Sequence, residues 1–427
     1  MVYFIEDVPA RIEINKGDSL VAFTPMACYC LDRMNLPYKI PEDYYDEAVI
    51  KRGENEYFFR QIELFQRLDE LLEQVMPFKY HSRIGIVWLY YYFLKQMMDR
   101  PLLYLKIIEN VIRHLGNEKI VHISGAHLDE LKGIRNEKTL YYSNEAVNKA
   151  ILAGYCQKNH VPFEFTLIKE QFRSGTEQHE RKHVGLRGKI HDAIRNNHPL
   201  YAVAKKMQLF KNVFCFNITD KLDSFSAAPR NTDRMTLMFF NSGWGMTQQA
   251  KEALKRGHRT LIKDGKTVYE HTGRRLRSIY ELPDYSHSIC DTSDAVSEGY
   301  ARFKKEVISW VNHEAGFDLT ALIDGKLNSF LYKVCPEIMF YHSLYVDLLD
   351  REKINYVIAP FLYLPEDFAA MSAAKAAADS TAVLTQHGAE VFDNYFSDMI
   401  RLGIADVFVP FFRELEDCYN GRKHLFS

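Results

Sequence analysis

Gln386, His387 and Gly388 stand where an apolar stretch with strand character, "TAVLT", gives way to an aromatic and acidic segment. Glycine lets another molecule approach the backbone closely, and glutamine supplies both a hydrogen-bond donor and an acceptor. An imidazole titrates near neutral pH, so it can shuttle a proton or donate to a developing oxyanion. Glu390 follows at the start of the next helix-like segment. This pattern predicts a ligand-facing loop, and the alternative is a tight turn that carries a structural histidine.

Two further loops place polar residues after strand-like stretches. Ser124, Gly125 and His127 follow "KIVHI". Glu366 and Asp367 follow "YVIA" after a short apolar and aromatic connection. Because ligands of open parallel sheets bind beyond the carboxyl ends of the strands, these residues are predicted to contact substrate.

The loop "NSGWGMT" follows the strand-like stretch "LMFF" and has the character of an anion site. Gly243 and Gly245 allow close approach, and Thr247 starts a helix whose free N–H groups face the loop. The loop lacks the lysine of a P-loop and the third glycine of a dinucleotide fingerprint. A phosphate or sugar contact and a plain strand-to-helix turn therefore both remain open.

The elements that must position these loops alternate between strand and helix patterns. The stretch "DSLVAFTP" is followed by "MACYCLDRMNL", and "INYVIA" is followed by an alanine-rich helical stretch. Such alternation predicts an α/β protein with Rossmann-like, doubly wound parallel sheets. We predict one such domain over residues 1–172 and a second, carrying the Gln386–Gly388 loop, over residues 233–427.

Residues 173–232 interrupt the alternation. Within them, the segment 173–212 has nine Lys or Arg and three Asp or Glu, with apolar residues at helical spacing on either side of Pro199. A basic, amphipathic helical insertion is predicted. It either packs on its own domain as a solvated hairpin or docks onto anionic lipid headgroups or a polyanionic glycan.

The composition limits the classes of function. A net charge of −2 argues against a nucleic-acid-binding protein. Seven cysteines without a CxxC pair indicate neither a zinc site nor a disulfide framework, and predict a cytoplasmic chain. The longest apolar run, residues 84–94, is about half of the ~20 residues that a membrane span needs. No acidic pair lies at a predicted strand end in the manner of a metal-binding DxD motif, so no metal is predicted.

Three stretches of the chain resemble the GT-B-type glycosyltransferases of bacterial surface carbohydrate and capsule biosynthesis. They are "DSLVAFTPMACYCLDRMNL", "GWGMTQQAKEALKRGHRTLI" and "AAMSAAKAAADSTAVLTQHGAEVFDNYF" with the following "GIADVFVPF". In that group a Gln-His-Gly or Trp-His-Gly turn faces the cleft between two Rossmann-like domains. The resemblance implies that His387 is catalytic, that Gln386 and Gly388 shape its loop, and that a carboxylate base serves the acceptor. The candidates for that base are Glu366, Asp367, Asp129 and Glu130.

The resemblance further implies metal-independent sugar transfer with no cofactor. The expected partners are a nucleotide-sugar and a polysaccharide or lipid-linked glycan acceptor, for a cytoplasmic enzyme. If the basic segment 173–212 docks onto anionic lipid, the enzyme is peripheral at the inner face of the cell membrane. In the family a second Rossmann-like domain follows the turn, whereas here residues 389–427 follow it. The residues that would bind the donor are therefore not assigned by the resemblance. The alternatives are a non-catalytic protein that binds a glycan or a partner, and a sugar-nucleotide epimerase on the same fold.

Overall fold

Two β-sheets with mostly parallel strands organise the part of the chain that the structure describes. The structure is a computed structural model, and it describes residues 1–8, 14–78, 82–116, 118–125, 140, 144–168, 234–240, 246–271, 279–285, 294–360, 362, 364–385 and 403–409. The predicted parallel α/β architecture is confirmed, and it is compatible with a Rossmann-like fold. The predicted basic insertion lies outside the described residues.

The first sheet has four parallel strands in the order β2-β1-β3-β4. They are β1 (Val2–Ile5), β2 (Ser19–Ala22), β3 (Ile120–Gly125) and β4 (Phe163–Ile168). After β1 the chain goes to β2 on one side, and β3 and β4 lie on the other. The strand order therefore reverses between β1 and β3, which is where open α/β sheets form a ligand crevice.

Both faces of this sheet are covered, as a doubly wound sheet requires. Val2 and Phe4 point into the main apolar core, whereas Tyr3 and Ile5 pack against helix α1 (Pro25–Arg33). Helix α5 (Asn144–Lys158) packs against β4. Full burial of a side chain such as Phe4 contributes about 1.5–3 kcal/mol.

Helix α1 begins immediately after β2 because its first residues favour a helix start. Thr24 is extended, and its hydroxyl accepts a hydrogen bond from the Ala27 amide at 3.0 Å. Pro25 occupies the first helical position, where the missing N–H is no loss. The boundary between the stretches "DSLVAFTP" and "MACYCLDRMNL" is thus the helix start itself.

The second sheet has seven strands in the order β11-β10-β9-β5-β6-β7-β8. They are β5 (Thr236–Phe240), β6 (Arg259–Asp264), β7 (Thr267–His271), β8 (Ile279–Glu281), β9 (Tyr356–Ala359), β10 (Thr381–Thr385) and β11 (Val407–Val409). The five strands from β11 to β6 are parallel, and β7 and β8 add an antiparallel hairpin at the far edge. The order reverses between β5 and β9, which gives this sheet its own crevice position.

Helices cover the second sheet and join it to the first. The helices introduced here are α2 (Glu47–Val75), α3 (Ile86–Leu89), α4 (Tyr91–Leu115), α6 (Met246–Lys255), α7 (Asp294–Ala315), α8 (Thr320–Ser329), α9 (Cys335–Glu352) and α10 (Pro365–Ala376). Helix α6 packs on one face of the sheet, against Phe239 and Ile262. The other face shares one apolar core with α2, α4, α7, α9 and α10, and that core also receives Val2 and Phe4 of the first sheet. Among the described helices, none is long and apolar enough to cross a membrane.

A π-helix, Phe330–Val334, connects α8 to α9. Pro336 at the start of α9 has no N–H to donate, and its ring would clash with the carbonyl four residues earlier. The wider π turn accommodates it without breaking the helix. The turn also fixes which residues of α9 face the sheet.

Gly85 precedes α3 at a point of close approach, and we expect Gly85→Ala to destabilise the fold. A methyl group there would overlap both carboxylate oxygens of Asp69, which accepts a hydrogen bond from the Val87 amide at 3.2 Å. The expected loss is about 1–3 kcal/mol of unfolding free energy, measured by urea denaturation. The control is Gly325→Ala in α8, where the added methyl group meets nothing within 4 Å and should stabilise the helix by about 0.5–1 kcal/mol. Equal stability of the two variants would contradict this prediction.

Candidate functional site

The carboxyl edge of the second sheet carries a buried ion pair next to the point where the strand order reverses. Lys263 is the second-last residue of β6, and its Nζ lies 2.5 Å from Oδ1 of Asp367 in the first turn of α10. The ammonium also lies 4.5 Å from the ring centroid of Phe240, the last residue of β5. Burial by itself would lower the pKa of the Lys263 ammonium, but the charge of Asp367 and the hydrogen bond to it raise that pKa above its ordinary value. Lys263 is therefore a fixed cation.

Asp367 has both carboxylate oxygens in use. Its Oδ1 accepts a hydrogen bond from the Lys263 ammonium, and its Oδ2 accepts a hydrogen bond from the Leu364 amide at 3.0 Å. The second contact caps the free N–H groups at the start of α10. The sequence predicts Asp367 to be catalytic, and its geometry is that of a residue which anchors the helix start.

Glu366 differs from its neighbour. Its side chain is 5% exposed, and among the described residues no group makes a hydrogen bond to its Oε2. Burial raises the pKa of the Glu366 carboxyl, and the charge of Asp367 raises it further. A carboxylate whose pKa is shifted towards neutrality and whose oxygen is uncommitted is suited to accept a proton.

Helix α9 adds a buried polar face opposite this edge. Glu337, Tyr341 and Tyr345 recur at intervals of four residues, so they lie on one side of the helix. The Tyr341 hydroxyl accepts from the Tyr285 amide and donates to the Pro283 carbonyl, both at 3.2 Å. The Tyr345 hydroxyl is buried with no hydrogen-bond partner in the described part of the chain. Burial raises the pKa of this hydroxyl, so it stays protonated.

Acidic groups outnumber basic groups among the described residues of this site. The carboxyl groups of Glu366 and Asp367 act on the ammonium of Lys263, and the charge of a third carboxyl, that of Glu337, raises the pKa of Glu366. A surplus of carboxylates repels phosphate. It favours binding of a neutral hydroxyl that is to lose its proton.

Ser124 lies at the equivalent edge of the first sheet. Its hydroxyl donates to Oε2 of Glu6 at 2.9 Å, and both side chains are buried. Glu6 directly follows β1, so the pair lies at the reversal between β1 and β3. Of the predicted site residues, Ser124 and Gly125 therefore lie at the end of β3 in the first sheet, and Glu366 and Asp367 lie in the first turn of α10 beside the second sheet.

Most of the remaining predicted site residues cannot be located. Gln386, His387, Gly388, Glu390, Gly243, Gly245, His127, Asp129 and Glu130 lie outside the described residues. Gly125 ends β3, and Thr247 is the second residue of α6. The roles assigned to these residues stay predictions.

Four residues of the two sites are missed by sequence reasoning, namely Lys263, Glu337, Tyr345 and Glu6. A charged residue within or directly after an apolar strand is the signal that two of them offer, because burying a charge requires a partner. Lys263 follows "TLI", and Glu6 follows "VYFI". Within the described residues, no group of three or more His, Cys, Asp or Glu could hold a metal ion.

A scan against models of protein families finds no match for this chain, and comparisons with curated proteins and with solved structures find none either. What the chain does is therefore inferred from its own residues and their geometry.

Proposed function

We propose that the chain is a metal-independent, GT-B-type glycosyltransferase that transfers a sugar from a nucleotide-sugar to a polysaccharide or glycolipid acceptor. The observation that carries the proposal is Glu366, a buried carboxyl of raised pKa with an uncommitted oxygen at the reversal point of a parallel sheet. The presence of two sheets with mostly parallel strands supports it, because such a transferase binds two substrates, and each sheet has its own crevice position.

In the proposed reaction, Glu366 acts as the general base. The acceptor hydroxyl gives its proton to Oε2 of Glu366, and the acceptor oxygen forms a bond to the anomeric carbon of the donor sugar. The bond from that carbon to the phosphate oxygen breaks, and its electron pair leaves with the nucleotide. Asp367 acts on this base in two ways. Its hydrogen bond from the Leu364 amide holds the first turn of α10 in place, and its negative charge keeps the pKa of Glu366 raised.

We propose that the phosphates of the donor bind away from Glu366. The acidic surplus around Glu366 disfavours an anion there, so the proposal places the leaving group near the loop 241–247 and His387. A helix start and an imidazole are groups that stabilise developing negative charge. The assignment of His387 rests on the sequence alone.

Incubation of the full chain with UDP-, CMP- and GDP-sugars and a glycan acceptor tests the proposal. We expect one donor to be consumed only when acceptor is present, and we expect His387→Ala to lower the turnover of a folded enzyme by about 10²-fold. Product chromatography and mass spectrometry measure the transfer. Binding of a nucleotide-sugar without turnover would favour the non-catalytic alternative, and conversion of the donor into an isomer without acceptor would favour the epimerase.

A further inference from the structure

The carboxylate of Glu366 is closed off from solvent, although the proposed reaction requires it to meet an acceptor. Glu366 is 5% exposed, and its neighbours Lys263 and Tyr345 are 3% and 0% exposed. A general base must come within about 2.6–3.2 Å of the hydroxyl whose proton it takes. Part of the protein must therefore move before an acceptor can reach this carboxylate.

Residues 282–285, which we call the strap, lie at the same edge of the second sheet and have no regular secondary structure. Strand β7 is antiparallel to both β6 and β8, so β8 runs in the direction of β6 and ends at the carboxyl edge. The strap leaves β8 there, with a hydrogen bond from the Leu282 amide to the Lys266 carbonyl at 3.1 Å. Its first and last residues pack against the main core, whereas the two between them are exposed. One side of the strap therefore covers protein, and the other side faces solvent.

The hydroxyl of Tyr341 on α9 holds the strap at two points. It accepts a hydrogen bond from the Tyr285 amide and donates one to the Pro283 carbonyl, each at 3.2 Å. An ion pair between Lys266 and Asp284 adds to these contacts, but the Asp284 side chain is 88% exposed. Water competes with an exposed ion pair, and 3.2 Å is long for a hydrogen bond of a hydroxyl group. These contacts can therefore break while the sheet stays intact.

The strap contacts α9 on the solvent side of the buried ion pair. Helix α9 is followed by the parallel strand β9, so it runs from the carboxyl edge of the sheet back to the amino edge. It ends beside the start of β6, where Oε2 of Glu352 lies 2.6 Å from Nη2 of Arg259. Tyr341 is therefore one helical turn, about 5.4 Å, nearer to the carboxyl edge than Tyr345. The strap thus crosses this edge outside the level at which Lys263 lies.

We infer that the strap closes the crevice in which Glu366 lies, and that its release from Tyr341 admits the acceptor hydroxyl. The inference rests on the proposed function and adds an opening step that precedes sugar transfer. A lid of this kind keeps water out of the reacting site. Water would otherwise compete with the acceptor for the donor sugar.

Labelling of carboxyl groups with a carbodiimide and glycine ethyl ester, in the full chain without substrate, tests this inference. Tyr341→Phe keeps the ring and removes the hydroxyl that holds the strap. We expect it to increase the labelling rate of Glu366 at least tenfold, as measured by peptide mass spectrometry. Hydrogen exchange at the Tyr285 amide should increase by a similar factor, because that amide loses its acceptor.

Two controls separate opening of the strap from a general loss of stability. Glu6 is also 5% exposed but belongs to the first sheet, so its labelling rate should not change in Tyr341→Phe. Tyr345→Phe removes a hydroxyl from the same helix that makes no hydrogen bond within the described part of the chain. It should leave the labelling rate of Glu366 within twofold of the original.

Three results would overturn the inference: an unchanged labelling rate of Glu366 in Tyr341→Phe, an equal acceleration at Glu6, or an equal acceleration in Tyr345→Phe. Should Tyr341→Phe fail to fold, Lys266→Met removes the ion pair to the strap instead. We expect it to accelerate labelling of Glu366 about twofold to fivefold, and an unchanged rate would also overturn the inference. Faster labelling in a chain that transfers no sugar would refute the proposed function alone, whereas sugar transfer with unchanged labelling would refute the strap alone.

Discussion

Glu366→Gln should lower the turnover of sugar transfer by about 10²- to 10⁴-fold and leave the fold intact. Glutamine has nearly the same shape, but its amide cannot take a proton from the acceptor hydroxyl. Burying a neutral amide costs no more than burying a carboxylate, so the variant should unfold at the same or a slightly higher urea concentration. Steady-state kinetics, with circular dichroism as the check on folding, measures both effects.

The matched control is Glu337→Gln, which changes a second buried carboxyl on the facing helix. It should keep turnover within a few-fold of the original, because Glu337 takes no proton in the proposed reaction. Removing its charge should lower the pKa of Glu366, since that charge raises it. Full turnover in a folded Glu366→Gln protein would remove Glu366 from the reaction.

The raised pKa of Glu366 also sets the pH dependence. The base must be ionised to act, so turnover should rise with pH, and the midpoint of the acid limb should lie above the ordinary glutamate value of 4.5. Because the folded state holds this proton more tightly than the unfolded state, stability falls as pH rises from 4.5 through the folded pKa. Activity and stability therefore change in opposite directions over that interval, and Glu366→Gln should abolish both changes.

Lys263→Met should destabilise the protein by about 3–5 kcal/mol, the largest effect on stability that we expect. The substitution keeps the apolar stem and removes the ammonium, which leaves the carboxylate of Asp367 buried without its cation. The raised pKa of Lys263 means that the ion pair contributes fully below pH 10.5 and that its contribution is lost as the pH rises through the folded pKa. Urea denaturation at neutral pH measures the loss.

The double variant Lys263→Met/Asp367→Asn separates the ion pair from general packing. Asparagine can still accept the Leu364 amide but carries no charge, so most of the lost stability should return. Lys119→Met breaks an exposed pair with Glu164 and should cost at most about 1 kcal/mol. A single Lys263→Met variant as stable as Lys119→Met would show that Asp367 does not need its partner.

The parallel strands could be predicted wherever an apolar stretch stands between clear turns and helices. Strand β1 was missed, because its four residues are all buried and so lack the alternation that marks a half-exposed strand. The β6–β7 hairpin was also missed, although Asp264 and Gly265 are a turn signal and Gly265 has a positive φ of 54°. Strand β1 and the hairpin are both short, and whether such short stretches form strands depends on the strands with which they pair.

The sites were harder to predict than the strands, because strand order decides which residues meet. Lys263 and Asp367 are 104 residues apart, and Glu6 and Ser124 are 118 residues apart. Local spacing indicated the end of the strand that carries Ser124, whereas Glu366 and Asp367, predicted in a loop after β9, lie in the first turn of α10. It could not indicate that Asp367 would be held by a lysine from β6, or that Ser124 would bond to a residue next to the amino terminus.

The π-helix before α9 has a consequence for insertions and deletions in this part of the chain. Each residue of an α-helix turns the chain by about 100°, so a residue inserted directly after the π-helix Phe330–Val334 would rotate the rest of α9 by that angle. Glu337 and Tyr345 would then swing away from Lys263 and Glu366, although no residue of the site itself had been altered. The length of this segment is therefore constrained as tightly as the chemistry that it serves.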